Sequence, residues 1–416
     1  MLMLLALRHR ALKRLWLGQA MSSIGDEIYR VGLTWMAVGM IGAKAGYLAA
    51  GQAAALMILS FIGGKWAEHW NPLSTMIRVD LVRAILVLIP VAYSFVAPVP
   101  LVVLVLVALI LAALSAFFDP ALNTVLPHFS PDLQTLRAAT GLMTTTIRMA
   151  RMVGPAIVGI LSGLISPIHF FTLDAITFLV SAGSLMPLEA KPSYDGSRAR
   201  KEPISFSEAL LSGFRGVRQK PGMTFVLFSK AITGGTWALA FSLCFALLVQ
   251  ELAGNDSRAF GLVMASYGLG NFAGALYFGN RQRTNPSLMM FSGYVWLGIG
   301  FALIAISPSI PWVMVTCAIT GFSGTMNEVT FFDMVQARFA IGDMTRIFRL
   351  RMALDTSGIL LAMLGSPYLL ELISVRTVLH LCGAVWVITG IVGLIFYMNR
   401  LHTTDVQLNP TLSAQT

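Results

Sequence analysis

Asp26, Glu27 and Arg30 fall within five residues of one another inside an apolar run over residues 15–40. On a helix, Asp26 and Arg30 are spaced i,i+4 and Glu27 and Arg30 i,i+3, so both acids reach the one base from adjoining faces. Two acids against one base leave a surplus negative charge. Burial favours the protonated form of a carboxyl group and a neighbouring guanidinium favours the ionised form, so such a trio is suited to taking up and releasing a proton. The alternative is a static ion cluster. With a helix starting near Leu15, Asp26 lies about 16 Å along it at 1.5 Å per residue.

Other ionisable residues stand in similar surroundings. Asn327, Glu328 and Asp333 share one apolar segment, with Glu328 the deeper acid and Asp333 nearer an interface. Glu328 is a second candidate for binding substrate or proton. Asp174 lies in a further apolar segment and is a further candidate for binding proton or substrate. Asp355 is spaced i,i+4 from Arg351 and is expected to pair with it. Arg148 and Arg151 need acidic partners or a water-filled cavity, or bind an anionic group of a substrate. Lys230, near the end of its segment, is expected to snorkel. Each group costs about 2.5–3.5 kcal/mol at the centre of a membrane helix on insertion scales.

The elements that position these residues follow from composition. The chain has 416 residues, 56% hydrophobic and 12% charged, with a mean hydropathy of +0.75. A soluble domain carries roughly twice that share of charge, so a water-soluble enzyme, a secreted domain and a disordered chain are excluded. Spans are expected near 15–40, 45–63, 77–96, 100–118, 139–164, 168–187, 223–250, 258–279, 287–306, 310–335, 346–373 and 377–398, each long enough to cross a bilayer. In hydrocarbon such segments must be helices, and alternating barrel strands do not occur. The fold class is therefore all-α and polytopic, with twelve transmembrane helices. Cys244, Cys317 and Cys382 are scattered in apolar segments as inert thiols; no metal site or cofactor is expected.

The net charge of +10 has a topological origin. With the N-terminus inside, the inner segments carry Arg8, Arg10, Lys13, Arg14 and the basic run Arg198, Arg200 and Lys201, and most of the other Lys and Arg outside the spans. The outer segments carry Lys44, Arg258 and Arg376. This asymmetry places both termini in the cytoplasm, in the inner membrane of the cell, and calls for no nucleic acid. Trp16, Trp66, Trp70 and Trp312 fall near span ends as interfacial anchors. The first span, with no cleavage site, serves as the membrane signal.

A polar linker over 189–222 divides the chain into six-helix bundles at 1–188 and 223–400, followed by a cytoplasmic tail at 401–416. Within the linker, Phe206, Leu210, Phe214 and Val217 have helical spacing after a Ser205/Glu208 capping box, as a surface helix would. Internal similarity supports a duplication. Asn71-Pro72 follows the second span and Asn285-Pro286 the eighth; Leu164-Ile165-Ser166 closes the fifth and Leu372-Ile373-Ser374 the eleventh. Repeated halves point to a transporter with its binding site at their interface.

Several motifs resemble the major facilitator superfamily, in particular its drug:proton antiporter branch with macrolide-efflux and enterobactin-exporter-like proteins. They are Leu17-Gly-Gln-Ala-Met-Ser-Ser-Ile-Gly-Asp26, Phe117-Phe-Asp-Pro-Ala121 with Leu126-Pro127, and Phe171-Thr-Leu-Asp-Ala-Ile-Thr-Phe178. In the fifth span Gly141, Gly154, Pro155 and Gly159 match the antiporter motif, while Ala150 and Val158 replace two of its glycines. Small residues let helices approach and Pro allows a bend. The motif between spans two and three is degraded: Glu68 keeps the acid, His69 replaces Arg, and the following basic residues are missing. Asp80 and Arg83 match the family's charged positions in span three. The resemblance implies that Glu68, Asp80 and Arg83 belong to a cytoplasmic gate and that Asp174 is commonly structural.

The expected function is a secondary active transporter exporting a small amphipathic molecule, a drug, siderophore or metabolite, in exchange for protons. Proton-coupled import and a non-transporting sensor are the alternatives. No enzyme motif is present: neither His-Glu-x-x-His, Gly-x-Ser-x-Gly nor a Walker sequence occurs. The expected partners are the small-molecule substrate, protons and membrane lipid, with the protein acting as a monomer.

Overall fold

The structure is a computed structural model that describes residues 6–67, 71–189, 206–279, 285–339 and 341–397. In chain order the helices are α1 (Arg10–Ile41), α2 (Ala45–Ala67), α3 (Pro72–Ser94), α4 (Leu101–His128), α5 (Leu133–Leu161), α6 (His169–Glu189), α7 (Phe206–Arg218), α8 (Met223–Ala238), α9 (Phe245–Ala253), α10 (Ser257–Gly279), α11 (Pro286–Ala305), α12 (Ile310–Arg338), α13 (Ile341–Leu372) and α14 (Val375–Phe396). Each expected span coincides, within about six residues at either end, with one of these helices, except that α4 runs on from the expected end at 118 to His128. The exception in form is the seventh, where α8 and α9 run together through a π-helical segment, Leu239–Cys244.

Among the described residues, six helical stretches are long and apolar enough to cross a membrane by length and composition alone: those of α4, α6, α8 with α9, α10, α11 and α14. Of the other long helices, α1, α3, α5, α12 and α13 carry the charged residues singled out above, which lowers their hydropathy. The helix starts echo the repeat. Asn71 caps α3, its side chain accepting from the backbone N–H groups of Leu73 and Ser74, with Pro72 in the first turn. Asn285 and Pro286 open α11 in the same way, although the Asn285 side chain makes no capping bond. Proline suits the first turn because its missing N–H has no partner there.

The chain forms two compact units. Unit 1 comprises Met1–Met40 and Gly51–Phe206, and unit 2 comprises Ile41–Ala50 and Ser207–Thr416. In unit 1, α1 packs on α6 through a glycine at every seventh position. A Cβ at Gly18 would collide with Ser184, one at Gly25 with Thr177 and Asp174, and one at Gly32 would press on Phe170 at 3.0 Å. Seven residues return a helix to nearly the same face, so the stripe brings the α1 backbone against α6 over three levels. The core beside it includes Leu12, Leu15, Leu73, Met76, Val125 and Leu185.

In unit 2, α7 is a helix as its spacing predicts. It lies on α13, where a Cβ at Gly213 would sit 2.9 Å from the Arg346 carbonyl oxygen. Val217 is buried, whereas Phe214, expected on the same face, is exposed. Ser205 of the expected capping box lies outside the described residues.

Candidate functional site

Ionisable side chains gather in two clusters, one in each unit, plus a smaller ion group between α1 and α5. That group holds Glu27. Arg30 donates to Glu27 through both Nε and Nη2. The Nε of Arg151 on α5 stands 3.8 Å from the other Glu27 oxygen. The expected surplus of acid over base is therefore corrected at Glu27, which has two cations. Sequence spacing cannot show the second one, because it arrives from another helix. The Gly154 backbone lies directly against Glu27, where a Cβ would collide with the acid's own Cβ. Gly154 thus lies on α5 where it meets α1; Pro155 and Gly159 follow it on the same helix, with Gly141 nearer the start. The Arg148 side chain and Glu68 lie outside the described residues.

The main cluster of unit 1 lies among α1, α3, α4 and α6. Asp80 and Asp174 are both 0% exposed and Arg83 is 3% exposed. Arg83 Nη1 is 4.0 Å from Asp80 Oδ1, and its Nη2 donates to the Ser115 hydroxyl at 2.8 Å. The guanidinium lies over two rings, Phe118 at 5.2 Å and Phe178 at 5.5 Å. Thr177 Oγ1 donates to the backbone oxygen of Asp174 and lies 3.4 Å from its Oδ1. Asp26, exposed on α1, is an electrostatic neighbour of Asp80, Asp174 and Tyr29. The sequence placed Asp26 and Asp174 as separate candidates; the fold brings them to one place, together with Asp80 and Arg83.

The cluster of unit 2 joins α8, α12 and α13. Lys230 is 4% exposed and donates to Glu328 and, at 3.1 Å, to Asn327 Oδ1. This corrects the expectation that Lys230 snorkels: it points inward because α12 offers it an acid and an amide. Arg351 Nη2 donates to both Glu328 oxygens at 3.1 and 2.9 Å, and its Nε donates to Asp355 at 3.2 Å. The expected Arg351–Asp355 pair is thus present, extended to Glu328. The Phe331 ring lies 4.4 Å from the Arg351 guanidinium and 5.9 Å from the Lys230 ammonium. Two cations face two acids, so this cluster is balanced. Asp333 lies on α12 beyond Phe331 and is part-buried.

Beside it lies an aromatic group that residue spacing did not bring out. Trp237 stacks on Phe241 at 4.8 Å, and Phe241 meets Tyr267 at 4.5 Å. The Trp237 indole N–H donates to the Tyr267 hydroxyl at 3.0 Å. Phe241 lies in the π-helical segment, whose extra residue per turn shifts the register of the side chains after it; such segments occur frequently at functional sites. Trp237 follows Lys230 by seven residues, so the charged and aromatic groups lie along one side of the same helix. Trp16, expected as an interfacial anchor, instead donates to Thr146 on α5 at 2.8 Å. Trp312 is half exposed near the start of α12. Among the described residues, no group of three or more His, Cys, Asp or Glu is arranged to hold a metal ion.

Long apolar helices in two units, with ionisable residues between the helices of each, are the architecture of a multi-pass membrane protein. The fold is similar to that of a POT family transporter in complex with a thioalcohol-conjugated peptide, with a TM-score of 0.67 and 12% identity over 94% of this chain and 96% of that one. It is also similar to a point mutant of the nucleoside transporter NupG, with a TM-score of 0.66 and 14% identity over 92% and 99% of the two chains. Residues 3–412 match the model of the family described as transmembrane secretion effector, and the chain belongs to that family of the superfamily. It is 24% identical over 308 residues to the multidrug efflux pump Tap of Mycolicibacterium fortuitum, covering 72% of this chain and 74% of that protein. It is 25% identical over 173 residues to the staphyloferrin A transporter of Staphylococcus aureus (strain NCTC 8325 / PS 47), covering 40% and 43%. The second match thus spans under half of that relative's length.

Proposed function

We propose that the protein is a secondary active carrier that exports a small amphipathic molecule in exchange for protons, by alternating access, as a monomer in the inner membrane with both termini in the cytoplasm. The observation that carries this reading is the similarity to a multidrug efflux pump over most of both chains. The geometry of unit 2 supports it. The rings of Trp237 on α8, Phe241 in the π-helical segment and Tyr267 on α10 lie on the same unit as Lys230, Glu328 and Arg351. An amphipathic molecule needs such a pairing of aromatic surface with charge. Met and aromatic side chains also suit an adaptable pocket. Proton binding drives the cycle by favouring one conformation over the other.

A second reading, transport of a siderophore, is favoured by the staphyloferrin A relative. In everted vesicles made acid inside, the exporter is expected to accumulate ethidium, a fluorescent amphipathic cation, and to lose accumulation when the gradient is collapsed. Uptake confined to right-side-out vesicles would instead show import.

A further inference from the structure

The charge balance of the carboxylates differs sharply between the clusters. Glu328 receives Lys230 and Arg351, Asp355 receives Arg351, and Glu27 receives Arg30 and Arg151. In unit 1, by contrast, Asp80 and Asp174 have no exposure and, among the described residues, Arg83 is the one cation within the cluster. Neither Asp80 oxygen is held by a well-formed hydrogen bond, nor is Asp174 Oδ2. Arg83 gives one N–H to Ser115 and its faces to Phe118 and Phe178, and stands no nearer than 4.0 Å to Asp80. A buried carboxylate without a donor keeps its charge only at high cost, and one guanidinium can neutralise only one of the two. The hydroxyls of Tyr29 and Ser181 are buried beside the acids, Ser181 within reach of Asp80 and Tyr29 without a hydrogen bond of its own. Among the described side chains, the charged and titratable groups facing this place are Asp26 and Tyr29 from α1, Asp80 and Arg83 from α3, and Asp174 from α6; α4 contributes Ser115 and Phe118.

We infer that Asp80 and Asp174 hold the exchanged proton between them, with Arg83 as their shared counter-ion and Asp26 as the exposed acid that leads to them. This rests on the proton-coupled reading above and assigns its site. With the proton bound, one carboxyl is neutral and Arg83 balances the other. When the proton leaves, two negative charges face one cation between α3 and α6, and the Ser181 and Tyr29 hydroxyls become donors to the new carboxylate. Proton loss therefore acts on the contact between α3 and α6, against whose second helix the glycine stripe of α1 also packs.

The test is infrared difference spectroscopy on the purified full chain in lipid, perfused from roughly pH 5 to pH 9. The wild type is expected to lose a protonated-carboxyl carbonyl band as pH rises. Asp80→Asn and Asp174→Asn each remove that change, and Glu328→Gln leaves it in place. Ser181→Ala, which keeps both acids and the fold, moves its midpoint to higher pH by removing a donor to the carboxylate. The inference is overturned if the wild type shows no such band, if the band persists in both Asn variants, if Glu328→Gln abolishes it, or if Ser181→Ala leaves the midpoint unmoved. A parallel measurement of pH-gradient-driven ethidium flux in proteoliposomes separates the two readings. A titrating Asp80–Asp174 band without driven flux refutes proton coupling and leaves the site. Driven flux that survives both Asn variants refutes the site and leaves the coupling.

Discussion

The Gly154 backbone of α5 lies against the Glu27 side chain of α1, so closely that a Cβ at Gly154 would overlap the Glu27 Cβ. The antiporter-like motif therefore has a specific task here: its glycine admits an acidic side chain between two helices, where Arg30 and Arg151 meet it. Gly154→Ala is expected to force α1 and α5 apart or to push Glu27 away from Arg151. Overpacking of this kind costs about 1–3 kcal/mol. A lowered melting temperature in detergent, with transport reduced more than stability, checks it. Wild-type flux in Gly154→Ala would show that the close approach is dispensable.

Lys230 and Glu328 offer a sharper test of charge balance. Lys230→Met leaves Asn327 without its donor and Glu328 with Arg351 alone. Breaking a buried pair costs about 3–5 kcal/mol, and less is expected here because the Glu328 side chain is 43% exposed and keeps a second cation. Glu328→Gln leaves Lys230 and Arg351 with Asp355 as the remaining acid of the cluster. The double variant Lys230→Met/Glu328→Gln removes one charge of each sign and is expected to melt above either single variant. Additive losses in the thermal melts would show that the two residues do not act as a pair.

Much of the fold could be read in advance, and the candidate site only in part. Hydropathy locates helices well because each span must satisfy its own backbone. Intrahelical pairs were equally accessible: Glu27–Arg30 and Arg351–Asp355 follow from i,i+3 and i,i+4 spacing. Pairs between helices were not, since Lys230 and Glu328 are 98 residues apart and no periodicity connects them. The same limit explains Trp16, whose indole finds Thr146 on another helix. Asp80 and Arg83 read as gate residues on resemblance; that Asp174 is their neighbour follows only from the packing of α3 on α6. The Gly18, Gly25 and Gly32 stripe was present in the sequence at a spacing of seven and is the one signal that could have paired α1 with a neighbouring helix.

Trp237 presents the aromatic group of unit 2 through two separable features, its stack on Phe241 and its N–H bond to Tyr267. Trp237→Phe keeps a ring against Phe241 and loses the bond; Tyr267→Phe leaves the indole N–H without its acceptor, at a cost of about 1–3 kcal/mol if it stays buried. Trp237→Ala loses both. If the rings form the apolar side of the ligand site, KM for ethidium export should rise most in Trp237→Ala and least in Trp237→Phe, with melting temperatures changing less than KM. Equal KM in all three variants would remove this group from the binding surface.

Asp132 governs the acid stability of the α4–α5 turn. Its carboxylate accepts from the Thr135 backbone N–H at 2.7 Å and lies 3.1 Å from the Thr135 hydroxyl, capping α5. The backbone N–H of Thr135 leads the causes that hold this carboxyl below its usual value of 3.8. A depressed value in the folded state means that the ionised cap stabilises the protein above that usual value and that this contribution fades as pH falls through the lowered one. Asp132→Asn retains a capping oxygen but not the charge. The melting temperature of the wild type is therefore expected to exceed that of Asp132→Asn at neutral pH, and the gap to close on acidification toward about pH 3. A gap that stayed constant over that range would show that the cap acts through its geometry and not through its charge.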